Sequence, residues 1–167
     1  MRAISEFLGP FRTNLRHGGT VSNMSEHLRN TYSTQVSISS DLEEARQLQS
    51  RIEGLLQSQS GFGELDIFAI KLALEEALVN AIKHGNQMDR SKRVHVEYTV
   101  TSERFDIRIV DEGPGFDPED VPDPTAPENL ERPCGRGLLL MRHYMSHIEY
   151  LHPGNIVVMS KWAKNGT

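Results

Sequence analysis

One segment limits this chain's possible folds more than any other. From about Glu64 to His84, the residues Ile67, Ile70, Leu74, Leu78 and Ala81 recur at three- and four-residue intervals. That is the spacing of a buried stripe on a long helix. Gly85 and Asn86 follow as a stop. The period then changes to two: Val94–Val100 and Phe105–Val110 alternate in polarity, with Thr101-Ser102-Glu103-Arg104 between them. This predicts a β-hairpin, and a sheet is the layer such a helix can pack on.

The flanking segments extend the pattern. Residues 1–33 are rich in Ser, Thr, Asn, Arg and Gly without a sustained period, and are expected to form a flexible extension before a domain covering 34–167. Gln35–Ser39 alternates and predicts a short strand. Asp41 is placed to cap a helix running to about Gln59, with Glu43 and Glu44 in its first turn. Ser60–Gly63 ends that helix. Residues 116–134 hold five prolines and six acidic residues, the composition of a long loop, and such loops in compact domains are usually functional. A helix over Arg136–Tyr144 and two strands, His147–Leu151 and Ile156–Ser160, close the chain. The expected fold class is a two-layer α/β sandwich, with helices on one face of a mixed, mostly antiparallel sheet.

Composition narrows the function. A net charge of −5 and a pI near 5.8 argue against a general nucleic-acid binder, which would show a basic face. No apolar run reaches the roughly 20 residues that cross a bilayer. The single cysteine, Cys134, cannot form an internal disulfide, which fits a cytoplasmic protein. No glycine-rich turn follows the first strand, so a Rossmann or Walker-type phosphate loop is not expected.

Three short motifs carry candidate chemistry. At about 100° per residue, Glu76, Asn80 and Lys83 fall within roughly 60° of one another, opposite the apolar stripe. Asn80 is a poor choice for a helix interior, but its amide oxygen suits a hard cation such as Mg²⁺. Glu76, one turn earlier, can act as a base, and Lys83 can meet a phosphate. The same residues also suit a plain solvated face. Asp111-Glu112-Gly113-Pro114-Gly115 follows a strand; its glycines let backbone approach a ligand, and Asp111 can accept from an exocyclic amine. Read alone, it is equally a turn. Gly135-Arg136-Gly137-Leu138 opens a helix whose N–H groups can face an anion, or it is simply the flexible end of the loop. The acidic, proline-rich segment before it suits a lid over a triphosphate.

In this order, Glu76-x-x-x-Asn80-Ala81, Asp111-x-Gly113-x-Gly115 and Gly135-x-Gly137-Leu138 resemble the motifs of the Bergerat-fold, or histidine-kinase-like, ATPases. Within that group, over about residues 34–162, the chain looks most like the anti-sigma-factor serine/threonine kinases. The resemblance implies ATP bound with Mg²⁺. Asn80 would hold the metal, and Asp111 the adenine. Gly113, Gly115, Gly135 and Gly137, with Lys83, Arg136 and Leu138, would surround the nucleotide. Glu76 would activate a partner's hydroxyl. It also implies a STAS-domain antagonist as substrate, a sigma factor as a second partner, and a homodimer. One departure stands out. Where the family commonly has Gly-Thr-Thr at the last hairpin turn, with the threonine helping to bind adenine, this chain has Gly154-Asn155-Ile156.

The principal rival is a nucleotide-binding switch without phosphotransfer, which would need Asn80 and the glycines but no base. A detached histidine-kinase catalytic domain is the other. Glu26–Thr31 only faintly resembles a phospho-acceptor box, and no proline follows it.

Overall fold

The computed structural model describes residues 31–116 and 136–163. Five strands form one sheet: β1 (Tyr32–Ser39), β2 (Arg93–Val100), β3 (Arg104–Asp111), β4 (His147–Leu151) and β5 (Ile156–Trp162). They lie in the order β1-β2-β3-β5-β4. All four pairings are antiparallel, so the sheet of the described residues contains no parallel, mixed component. Among the described residues three helices accompany it: α1 (Leu42–Gln59), α2 (Glu64–Asn80) and α3 (Arg136–Tyr144).

Register explains the two-layer arrangement. Ile38, Val94, Ile109 and Val157 belong to one sheet face, as do Val96, Tyr98, Ile107 and Met159. All are buried together with Ile52 and Leu56 of α1 and Ile70, Leu74 and Leu78 of α2. Fully burying each such side chain contributes about 1.5–3 kcal/mol. The opposite face carries the row Gln35, Glu97, Arg108, held by a Gln35–Glu97 hydrogen bond of 2.9 Å and a half-exposed Arg108–Glu97 pair.

The first strand starts at Tyr32, three residues before the alternation signalled it. Its early residues Tyr32 and Thr34 pair with Val100 and Tyr98 of β2, a long-range register that local pattern does not reveal. Asp41 caps α1 as expected: Oδ1 accepts from the N–H groups of Glu43 at 2.8 Å and Glu44 at 3.3 Å. Those bonds hold the Asp41 carboxyl below the ordinary range.

Helix α2 differs from the expected unbroken helix. It is α-helical to Asn80 and ends in a wider π turn, Ala81–Gly85. There the Asn86 N–H reaches back five residues to the Ala81 carbonyl, at 2.8 Å. Such turns concentrate at functional sites. Ala69 and Ala73, on the Glu76 side of the helix, are also buried. Their small size lets α3 pack on that side of α2.

Candidate nucleotide site

Where the ends of these elements meet, a cavity of about 500 Å³ opens, within the size range of small-molecule sites. The end of α2 and its π turn supply Glu76, Asn80, Lys83 and Gly85. The end of β3 and the following turn supply Asp111, Gly115 and Phe116. Helix α3 adds Gly137 and Leu138, and the β4–β5 hairpin adds Tyr150, Gly154 and Asn155. The structure therefore brings Glu76, Asn80, Lys83, Asp111, Gly115, Gly137 and Leu138 around one space. Gly113 stands behind Asp111, donating its N–H to Asp111 Oδ1 at 2.8 Å. Gly135 and the candidate lid lie outside the described residues, as do residues 1–30, expected to form most of the extension. The backbone of Arg136 starts α3.

Glu76 and its neighbour Glu75 are separated by the helix: Glu75 is exposed, Glu76 half-buried at the cavity. Gly137 explains how α3 comes so close. A β-carbon there would lie 2.3 Å from Glu76 Oε2, so any side chain would displace the carboxylate. Gly85 plays the same part on the other wall, where a β-carbon would lie 2.3 Å from Asp111 Cγ. Gly115, at φ 81°, turns the chain against the Pro153 carbonyl.

Asp111 is 9% exposed. Burial raises its carboxyl above the ordinary value, and the Gly113 N–H opposes that rise. Its backbone is tied to the last hairpin: Asp111 N–H donates to the Asn155 carbonyl at 3.0 Å, and Asn155 Nδ2 donates to the Asp111 carbonyl at 2.8 Å. Tyr150 is partly buried, and desolvation pushes its phenol well above the usual range. It meets Phe116 edge to face at 5.1 Å.

A family model, the histidine kinase-like ATPase domain, matches residues 38–161. The chain belongs to this family. Among individual relatives, serine-protein kinase RsbW of Listeria monocytogenes is 31% identical over 114 residues, covering 64% of this chain and 73% of the relative. RsbW of Oceanobacillus iheyensis is 28% identical, covering 63% and 71%. Serine/threonine-protein kinase BtrW of Bordetella bronchiseptica is 31% identical over 85 residues, half of this chain and 60% of the relative. The solved RsbU and RsbW domains of a Mycobacterium tuberculosis protein superpose with a TM-score of 0.54 at 16% identity. That likeness, over 80% of this chain and 32% of the other, concerns the fold. Within the histidine kinase-like ATPase domains, the chain thus belongs with the RsbW-like serine-protein kinases.

Asp111 presents a largely buried carboxylate on the cavity wall, and Asn155 Oδ1 is buried with no hydrogen-bond partner among the described residues. Sequence reasoning missed one residue behind the site. Asn86, expected only to stop the helix, is fully buried. Its Nδ2 donates to Ser40 Oγ at 2.8 Å and the Arg93 carbonyl at 2.9 Å, and its Oδ1 accepts from Glu112 N–H at 2.7 Å. It joins the end of β1, the start of β2 and the turn after β3, and so positions the Asp111–Glu112 turn. Only the partners, distant in sequence, distinguish it from an ordinary C-cap asparagine.

Proposed function

We propose that this protein is an anti-sigma-type serine/threonine kinase that transfers the γ-phosphoryl group of Mg-ATP to a hydroxyl of a STAS-domain antagonist protein. The observation that carries this reading is Glu76 beside Asn80 on the wall of the cavity that also holds Asp111. The donors suit Mg²⁺. Among the described residues, no three His, Cys, Asp or Glu side chains gather as a metal cage. A single amide oxygen from Asn80 fits a cation that keeps waters and phosphates as its other ligands.

Bound Mg²⁺ would neutralise phosphate charge, as in phosphoryl transfer generally. The chain's own residues do the rest. Asp111 accepts from the adenine amine and fixes the base. Lys83 and Arg136 meet phosphate charge, while the N-terminal turn of α3, with Gly135 and Gly137, gives phosphate oxygens close backbone approach. Leu138 packs against the apolar core and holds that turn in place. Glu76 takes the proton of the attacking serine or threonine hydroxyl, whose oxygen bonds to the γ-phosphorus as ADP leaves.

The partners follow from the same reading: a STAS-domain substrate, a sigma factor released or held according to its phosphorylation, and a homodimer as the working form. The setting is cytoplasmic. Among the described residues no helix is long and apolar enough to cross a membrane.

Glu76→Gln tests the assignment. Transfer to a STAS-domain partner falls by about 10²–10⁴-fold, the usual contribution of a general base, while Mg-ATP affinity stays within threefold. Equal loss of binding would remove Glu76 as the base, and undiminished transfer would do the same. Acid-labile phosphohistidine on the partner would favour a histidine-kinase reading. Binding with no transfer by the wild type to any STAS partner would favour the switch without chemistry.

A further inference from the structure

Helix α3 is nine residues long, too short to be stable alone, so its position depends on what holds it. Its two ends are held differently. At the N-terminal end Gly137 lies against the Glu76 carboxylate of α2, where a β-carbon would not fit. At the C-terminal end the Tyr144 carbonyl, one of the acceptors a helix leaves unpaired, accepts from Lys161 Nζ at 2.7 Å.

Lys161 is itself fixed. It stands on β5 opposite the core residue Phe105, and its side chain is only 13% exposed. An ammonium so placed needs partners, and the second is Asp66 Oδ1 at 3.2 Å. Asp66 lies in the first turn of α2. Both charges suit the helix ends they meet, the anion at an N-terminus and the cation at a C-terminus. One side chain therefore joins the start of α2 to the end of α3, and Gly137 meets α2 again at Glu76. The two helices run antiparallel between these contacts. Met141 and Met145 also seat α3 on the core, but apolar burial is non-directional. The Lys161 bond sets direction. A tilt of about 15° around that end would move Gly137, about 10 Å along the helix, by about 3 Å.

Resting on the nucleotide reading above, we propose that Lys161 is a positioning residue for phosphate binding. By tying the C-terminal end of α3 to the first turn of α2, it sets Gly137 and the N-terminal turn of α3 beside Glu76. Neither Lys161 nor Asp66 lines the cavity, so replacing either removes no direct contact with nucleotide.

The test uses the full chain as wild type, Lys161→Met and Asp66→Asn. Hydrogen exchange without nucleotide reads the helix: amides of Leu139–Tyr144 exchange at least tenfold faster in Lys161→Met, and those of β2 and β3 change less than threefold. Calorimetry reads the site: Mg-ATP affinity falls at least tenfold in Lys161→Met, while that for AMP, which lacks the β- and γ-phosphates, stays within threefold. Asp66→Asn keeps the bond to Tyr144, and both affinities stay within threefold of the wild type. Should Lys161→Met fail to fold, Lys161→Gln, one atom shorter in reach, takes its place with the same expectations. Unchanged exchange in α3, or an equal rise throughout the chain, would overturn the proposal. So would ATP and AMP weakened alike, or Asp66→Asn as damaging to ATP binding as Lys161→Met. If the wild type bound neither nucleotide, the nucleotide reading would fail, and exchange alone would still judge the clamp on α3.

Discussion

Two asparagines flank the turn after β3, and they are finished to different degrees. Asn86 has both amide hydrogens donated and its oxygen occupied, and none of it is exposed. Asn155 spends its NH₂ on the Asp111 carbonyl and leaves its oxygen unpaired. Both support Asp111, one from the helix end and one from the last hairpin. A fully satisfied polar group specifies a fold; a buried one left partly unsatisfied calls for its own explanation. The first region is architecture, the second a site.

That contrast can be broken by substitution. The largest stability effect is expected at Asn86. Asn86→Ala removes three bonds and strands buried groups of three segments, and lowers unfolding free energy by about 3 kcal/mol, from 1–3 kcal/mol for each group left unsatisfied. Urea denaturation measures it; a loss under 1 kcal/mol would mean that water replaces the side chain without cost. Asn155→Ala removes an unpaired oxygen along with one bond, so its stability change stays within about 1 kcal/mol. A loss as large as that of Asn86→Ala would erase the distinction.

Acidity sharpens the comparison at Asp111 itself. Its raised carboxyl means that the folded state holds a proton more firmly than the unfolded one. Between the ordinary carboxylate value and the raised one, this group's contribution to stability therefore falls as pH increases. Nucleotide affinity runs the other way, because the protonated acid loses acceptor capacity. Asp111→Asn should remove both dependences and leave the fold at least as stable near neutral pH. Parallel melts and titrations from pH 4 to 7 check this, and a variant that keeps the wild-type slopes would assign them to another group.

The smallest effect lies just beyond the π turn. Gln87 and Met88 have φ of 57° and 60°, a left-handed conformation costing about 1–2 kcal/mol per non-glycine residue. Glycine brings its own entropy cost of about 0.5–1 kcal/mol, so Met88→Gly should stabilise the fold by about half a kcal/mol. Thermal melts decide it, and a loss of stability would show that the half-exposed Met88 side chain packs usefully.

Much of the architecture was legible because it depends on local period. The stripe from Ile67 to Leu78, the alternation of β2 and β3, and the Asp41 cap are each written in a few neighbouring residues. The three site motifs could be read for the same reason, and the fold collects Glu76, Asn80, Asp111, Gly115, Gly137 and Leu138 from them around one cavity. The π turn was hidden because its residues, Ala81–Gly85, suit an α-helix equally well. Tyr32–Thr34 joined β1 through pairing with β2 rather than through its own composition. Asn86 and Asn155 owe their importance to partners as far away as Ser40 and Asp111, which no window of sequence contains.

The central claim is that Asn80 and its neighbours hold a magnesium nucleotide. Calorimetric titration of Mg-ATP into the wild type and into Asn80→Ala tests it most directly, with matched melting curves for the two proteins. The account predicts a saturable heat in the wild type and at least a tenfold loss of affinity in the variant. Equal affinities would contradict the metal-holding role of Asn80, and an absence of binding to the wild type would contradict the nucleotide site.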